Sequence, residues 1–221
     1  MDIYLILLII ALPLLAQGKV KHSYEEFARI KNSSNMTGYD IARKILDANG
    51  LNDVKIVETH GELTDHYDPS KRVVRLSSNI YSRTSISAAA VAAHEVGHAI
   101  QHKEEYSFLK FRTSMVPLVN FTSRISSIML FLAFFLEYAE MFFLAAILMI
   151  ASLAFQFITL PVEFDASKRA KEQLTKLHLI TNADNKGISS VLSAAALTYV
   201  AGFLATALQI LRYVLISRRN D

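Results

Sequence analysis

Two histidines and a glutamate in one short stretch carry the chemistry that this sequence offers. His94 and His98 stand four positions apart, so on a helix their side chains lie one turn apart on the same face. Imidazole nitrogens in that arrangement can bind one zinc ion, while the carboxylate of Glu95 can reach a water on the metal. The pattern predicts a zinc-dependent peptidase in which Glu95 is the general base.

A catalytic zinc site needs a third protein ligand and leaves its fourth position to water. The sequence has no cysteine, so this ligand must be an imidazole or a carboxylate. His102 lies too far along the same helix, and Glu104 would need a glycine at the place of Gln101 for the chain to bend back. Glu163 is the preferred candidate and Asp165 its alternative, although both could simply favour a helix N-terminus.

The elements that must position these residues are a helix and a small sheet. The alanine-rich stretch 85–102 has no proline and predicts the helix that carries the histidines. Thr37 is expected to cap an earlier helix that ends before Gly50. Two short segments rich in β-branched residues, Val54–Glu58 and Arg72–Leu76, predict strands of one sheet. The second strand could instead pair with an extended substrate.

Apolar residues make up 52% of the chain and concentrate in three blocks that we expect to face lipid. The first, Ile3–Ala16, lacks the positive segment of a signal peptide and is interpreted as a retained anchor, with an interfacial or tilted short helix as the alternative because the block is short. The second, about Ile125–Leu160, is too long for one span and is interrupted by Glu137 and Glu140, so it predicts a hairpin of two membrane helices. The third is Ile188–Ile216.

The connecting segments are predominantly polar. A short helix is expected to begin at Ser23, and Asp65–Pro69 is expected to form a turn. Pro161 predicts that the second hairpin helix ends or kinks and that a polar helix, Val162–Leu177, follows. The last apolar block fits one span or two shorter helices, and Gly202 near its middle permits either.

The expected fold is a mainly α integral membrane protein with about four membrane helices and a cytoplasmic zincin-like domain that contains the motif helix and the sheet. The hairpin would bring the chain back to the membrane surface at which it entered. Glu163 would then lie on the same side as the histidines. The expected parts are an anchor at 1–17, a catalytic domain at 18–112, a membrane hairpin at 113–160, a helix carrying the third ligand at 161–186, and a membrane or membrane-buried segment at 187–221.

Basic residues beside the apolar blocks set the expected orientation. Lys19 and Lys21 follow the first block and Lys168–Lys171 follows the second, whereas the hairpin turn carries acids. The positive-inside rule therefore places the catalytic domain on the cytoplasmic side of the plasma membrane. Arg218 and Arg219 oppose this orientation if the last block spans once.

The composition also limits which classes of partner are expected. The net charge is only +3, and no basic run or interleaved aromatic platform is present, which excludes nucleic acid. The expected partners are the lipid bilayer and a protein or peptide substrate, with membrane proteins among the candidates.

Three stretches together resemble the YugP-type neutral zinc metallopeptidases, and the resemblance covers nearly the whole chain from Ser23 onward. They are HEVGHAIQ at His94–Gln101, LTDHYDP at Leu63–Pro69 and LPVEFDAS at Leu160–Ser167. This family is distantly similar to HtpX and CAAX-prenyl membrane proteases. The resemblance implies a membrane peptidase that uses Zn²⁺.

The resemblance also bears on the metal ligands. Glu163 with Ala166 fits the helix that supplies the third ligand in the HtpX-like group. Ser167 stands where those relatives usually have an aspartate, and Asp165 could take over its support of the ligands.

Two other functions fit the same motif. A lipid-modifying or prenyl-peptide-processing hydrolase suits a site at a membrane surface, and an inactive metal-binding membrane scaffold or adaptor would hold the metal without turnover. A peptidase also needs a group that stabilises the oxyanion. His66, Tyr67 and Tyr199 are candidates that the sequence does not separate from core or turn residues.

Overall fold

The structure, a computed structural model, describes residues 2–136 and 138–218, so Glu137 and Arg219 lie outside the described residues. Within these residues it contains seven α-helices and three β-strands. In chain order they are α1 Asp2–Ala28, α2 Gly38–Ala48, β1 Lys55–Thr59, β2 His66–Asp68, β3 Val73–Ser77, α3 Ser78–Ser82, α4 Ile86–Lys103, α5 Ser107–Leu136, α6 Ala139–Lys176 and α7 Asn182–Ser217.

The chain divides into two compact units, and the helices α1, α6 and α7 contribute to both. The helical unit comprises the described residues of Met1–Gln17, Ser107–Pro161 and Leu197–Asp221. The sheet unit comprises Gly18–Tyr106 and Val162–Ala196.

The helical unit buries small side chains. Every buried residue that the structure describes there is an alanine, serine or threonine, while many of its large apolar side chains are exposed, Phe134 at 75% and Leu15 at 71%. Small residues let helix backbones approach closely where lipid solvates the large ones. Among the described residues, α1, α5, α6 and α7 are long and apolar enough to cross a membrane, which confirms the expected number of membrane-length helices.

The predicted hairpin is present in the helical unit. α5 ends at Leu136 and α6 begins at Ala139, so the break falls at the acidic interruption. The Ser123 and Ser152 hydroxyl oxygens lie 3.0 Å apart and hydrogen-bond across the two helices. Such pairs satisfy polar groups within an apolar segment, where water cannot do so.

Two of the long helices, α6 and α1, are more continuous than predicted, and α7 takes the unbroken one of its two expected forms. α6 does not end at Pro161, and the expected separate helix Val162–Leu177 is instead its second half. A proline removes one backbone hydrogen bond, which the other turns of a 38-residue helix can tolerate. α1 likewise runs without a break past Ser23, and α7 is one helix across Gly202.

Local signals place the two predicted helices of the sheet unit correctly. Thr37 forms a capping box with Asp40: its Oγ1 accepts from the Asp40 N–H at 3.1 Å, and its own N–H donates to Asp40 Oδ2 at 3.0 Å. Gly50 follows α2 with φ +65, the left-handed conformation typical of a helix end. Ser85 caps α4 by accepting from the Ala88 N–H at 3.1 Å.

The sheet contains both predicted strands and one that was missed. β1 and β3 pair in parallel and match the predicted strands with a shift of one residue. β2 lies in the segment Asp65–Pro69 that was expected to be a turn, and it pairs antiparallel with β3. The order β1-β3-β2 makes β3 the central strand. The expectation that β3 could pair with a substrate is therefore wrong, because its two edges already hold neighbouring strands.

The core of the sheet unit fixes the second half of α6. Val162, Ala166, Ala170 and Leu174 recur every four residues and are all fully buried. This spacing puts them on one face of the helix. Glu163, beside the first of them, is carried into the unit and is only 3% exposed.

Candidate metal centre

A glycine lets the two helices of the site come close together. A Cβ added at Gly97 would lie 2.6 Å from the carbonyl oxygen of Ala166, nearer than side chains pack against backbone. Only glycine leaves room for that contact. Because Gly97 lies directly before His98 and Ala166 three residues after Glu163, the close approach brings the motif of α4 and the acid of α6 together.

Three donor atoms converge at this contact. His94 Nε2 lies 3.3 Å and His98 Nε2 lies 3.5 Å from Glu163 Oε2, and the three atoms lie within 4.8 Å of one another. The imidazole rings stand nearly perpendicular, at 84°. The histidine side chains are 13% and 14% exposed and that of Glu163 is 4% exposed. The group is therefore largely shielded from water.

This donor set fits zinc. With bonds of 2.0–2.2 Å, ligand atoms of a tetrahedral zinc site lie about 3.3–3.5 Å from one another, as the two nitrogen–oxygen distances do. Burial lowers the pKa of His98, but the hydrogen bond and charge of Glu163 outweigh it, so that the pKa is raised overall. The site thus favours a positive charge at the point where the metal would lie.

The outer nitrogen of each imidazole also has a partner. His98 Nδ1 lies 3.0 Å from Gln101 Oε1, and His94 Nδ1 lies 3.2 Å from Ser167 Oγ. Outer partners of this kind orient a histidine ring and turn its other nitrogen toward a metal. The serine at position 167, where an aspartate was expected from the resemblance, thus hydrogen-bonds His94 through a hydroxyl.

A second carboxyl group lies within electrostatic range of Glu95. Glu95 is itself buried, at 8% exposure. Burial raises the pKa of Asp65, hydrogen bonds from the N–H and hydroxyl of Ser77 oppose this, and the charge of Glu95 adds to the rise. Asp65 belongs to the segment just before β2, so the sheet as well as α4 and α6 contributes to the surroundings of the motif.

The family and the relative that this chain resembles are named as a zinc metallopeptidase and a membrane protease. A family model described as "Putative neutral zinc metallopeptidase" matches residues 2–218. The chain belongs to this family. "Putative membrane protease YugP" of Bacillus subtilis (strain 168) is 46% identical over 214 residues, which cover 97% of this chain and 95% of the relative. No solved structure matches. Zn²⁺ is therefore the cofactor, and the resemblance drawn from the three sequence stretches is confirmed.

In this zinc metallopeptidase, two acids that were weighed as ligands have other partners. Asp165 Oδ2 accepts from Gln101 Nε2 at 2.8 Å and from Arg169 Nε at 2.5 Å. Glu104 Oε2 accepts from Arg169 Nη1 at 2.6 Å. The donor group found among the described residues contains Glu163 and neither of these acids.

Two of the residues weighed as oxyanion partners have local explanations. Tyr67 OH lies 2.9 Å from Nδ1 of His102, which accounts for both side chains. His66 is exposed, and its Nδ1 lies 2.8 Å from the carbonyl oxygen of Thr64. Tyr199 lies in the helical unit and is 38% exposed.

Gln101 is the residue of the site that sequence reasoning missed in this metallopeptidase. It is 0% exposed, and its side chain makes three hydrogen bonds. One signal could have found it: it follows His98 by three positions, the spacing at which helix side chains meet.

Proposed function

We propose that this protein is a membrane zinc endopeptidase in which His94, His98 and Glu163 hold the metal and Glu95 is the general base. The observation that carries the proposal is the convergence of two imidazole nitrogens on one carboxylate oxygen, at nitrogen–oxygen distances of 3.3 and 3.5 Å that suit a tetrahedral site. Membership of the zinc metallopeptidase family and the name of the membrane protease relative support it. Zinc, when bound, polarises the scissile carbonyl and lowers the pKa of water to about 7.

Glu95 handles the proton in this proposal. It follows His94 directly on α4, and its carboxylate accepts the proton of the attacking water and then passes it to the leaving amine. Its burial keeps bulk water from competing for that proton. The imidazoles of His94 and His98 and the carboxylate of Glu163 stay in place throughout, held by the helices that carry them.

The Glu95→Gln variant tests the proposal. Cleavage of a casein or peptide-library substrate by purified protein in detergent should fall by about 10²–10⁴-fold, while the zinc content stays near one per chain. Glu172→Gln, at a largely exposed position of α6, is the control and should leave both unchanged. Unchanged cleavage by Glu95→Gln would reject the assignment. A wild type that binds zinc and a partner protein but cleaves nothing would support the scaffold instead.

We further propose that the sheet unit faces the cytoplasm from the plasma membrane. Its sequence includes Lys19, Lys21 and the basic cluster Lys168–Lys171, whereas the loop between α5 and α6 is followed by the acidic Glu140. Arg218 and Arg219, which follow α7 in the sequence, are the opposing charges. The basic residues of the sheet unit outnumber them.

The absence of cysteine makes orientation directly measurable with single introduced thiols. Tyr138→Cys, in the loop between α5 and α6, should react with a membrane-impermeant maleimide on intact cells. Lys71→Cys, at an exposed position between β2 and β3, should react only after the cells are opened. The reverse pattern would overturn the cytoplasmic assignment.

A further inference from the structure

We propose that Gln101 is a positioning residue that fixes which nitrogen of His98 carries a hydrogen and ties together the two helices that hold the metal. The inference rests on the proposed ligands, and it assigns a role to a side chain that neither the motif nor the family name includes. Its basis is the hydrogen bonding of one buried amide.

The partners of Gln101 fix how its amide is turned. Its Nε2 lies 2.7 Å from the carbonyl oxygen of Val162 and 2.8 Å from Asp165 Oδ2. Both partners are acceptors, so the group that faces them must be the NH₂ group with its two donors. The amide oxygen is therefore the atom that faces His98. The reversed amide would set oxygen against two oxygens inside a buried site.

The orientation of the amide determines the state of the ring. Gln101 Oε1 can only accept, so His98 Nδ1, 3.0 Å away, must donate a hydrogen. In a neutral ring the other nitrogen, Nε2, then has a free lone pair, and this is the nitrogen beside Glu163. Gln101 thus prepares His98 as a metal ligand before the metal arrives.

The same amide joins two helices. Gln101 and His98 belong to α4, whereas Val162 and Asp165 belong to α6, one on each side of Glu163. A side chain that is 0% exposed and bonded to both helices holds the third ligand in register with the histidine. Arg169 holds Asp165 in turn through its Nε at 2.5 Å. Asp165 therefore supports the metal site through Gln101.

His94 has no outer partner that fixes the position of its ring hydrogen in this way. Its Nδ1 faces Ser167 Oγ at 3.2 Å, and a hydroxyl group can either donate or accept. That contact leaves the position of the ring hydrogen open. The two histidines of the motif should therefore depend on their outer partners to different degrees, with His98 the more dependent.

The first test compares Gln101→Met with Ser87→Ala. Ser87 is also on α4 and fully buried, and its hydroxyl donates to the carbonyl oxygen of Tyr24 at 2.8 Å, away from the ligands. Zinc dissociation constants, from competition with a chelator, should rise tenfold or more for Gln101→Met and stay within twofold of wild type for Ser87→Ala. Thermal unfolding of the metal-free proteins shows how much stability each variant loses.

The second test is a double-mutant cycle with Asp165→Ala. Because Asp165 acts through Gln101, the double variant should bind zinc no more weakly than Gln101→Met alone. Losses that multiply would show that Asp165 acts independently and would overturn the linkage. A Gln101→Met protein that binds zinc within twofold of wild type would overturn the positioning role.

The third test needs no change at Gln101 and so does not depend on that variant folding. Nitrogen NMR of histidine-labelled, metal-free wild type, at a pH where the ring is neutral, should place the His98 hydrogen on Nδ1. A hydrogen on Nε2 would overturn the inference. Failure of the proposed function looks different, because Glu163→Ala would then bind zinc as tightly as wild type.

Discussion

The two units of this protein differ in whether they bury large side chains. The sheet unit buries large aliphatic residues, such as Ile45 and Leu174 at 0% exposure, whereas every buried residue described in the helical unit is an alanine, serine or threonine. Water expels large apolar side chains into a core, but lipid solvates them and leaves the helix contacts to small residues. Burial therefore reports which solvent surrounds each unit.

The chemistry follows the same division. The donors His94, His98 and Glu163 and the amide of Gln101 all belong to the sheet unit. Changes there should alter zinc binding, while changes in the helical unit should alter integration into the membrane. Pairs of substitutions, one in each unit, test whether zinc binding and membrane integration depend on different units.

The largest effect is expected from Glu163→Ala. Loss of the proposed third ligand should weaken zinc binding by more than the roughly 10–100-fold expected of an outer partner such as Asp165. Zinc content after dialysis, measured beside Asp165→Ala, checks this. A greater loss of zinc from Asp165→Ala than from Glu163→Ala would make Asp165 the ligand and Glu163 the outer partner.

Next comes a lysine placed at an exposed apolar position of each unit. Ile128, on α5, is 55% exposed, and Val57, on β1, is 39% exposed. Ile128→Lys should cost about 2.5–3.5 kcal/mol in membrane insertion, because lipid does not solvate the ammonium group. Val57→Lys should leave integration unchanged. The alkali-resistant membrane fraction of each variant is the measurement, and equal behaviour would contradict the division.

An added methyl group should change the free energy of unfolding by a smaller amount. The change should be a loss in the sheet unit and a gain in the helical unit. Gly97→Ala drives a Cβ against the Ala166 carbonyl and should cost about 1–3 kcal/mol, with weaker zinc binding as α4 and α6 separate. Gly202→Ala meets nothing within 4 Å and should stabilise α7 by up to about 1 kcal/mol. Thermal unfolding together with zinc titration would separate these outcomes.

The smallest expected effect is a pH dependence of folding stability that comes from Asp65, a residue of the sheet unit. Burial raises its pKa in the folded protein, so its ionised form is less stable there than in the unfolded chain. Relative to Asp65→Asn, the wild type should be most stable below about pH 4 and should lose that advantage as pH rises through the folded pKa. Unfolding of both proteins across this range checks the sign, and a constant difference would contradict it.

Elements defined by neighbouring residues were predictable from the sequence. The capping box of Thr37 with Asp40, the Ser85 cap and the β-branched strands each depend on contacts a few residues apart. The same holds for the histidine pair, whose spacing is a property of one helix. Glu163 could be proposed because the hairpin must return the chain to the side from which it left.

Features that depend on distant packing were not predictable. β2 has only three residues and exists because β3 offers it an edge. The burial of Gln101 depends on Val162 and Asp165, which arrive from a helix far along the chain. α6 continues past Pro161 with Ala170 and Leu174 in the core of the sheet unit, a packing that involves residues far along the chain.

The origin of Glu163 on α6 also affects the order of events during biosynthesis. A ribosome releases the segment with both histidines well before it has synthesised α5 and the first half of α6. Until that hairpin exists, the nascent polypeptide lacks the acid that would complete the metal site. Peptidase activity would therefore arise only after translation has passed both hairpin helices, which would delay cleavage of bystander proteins near the translocation machinery.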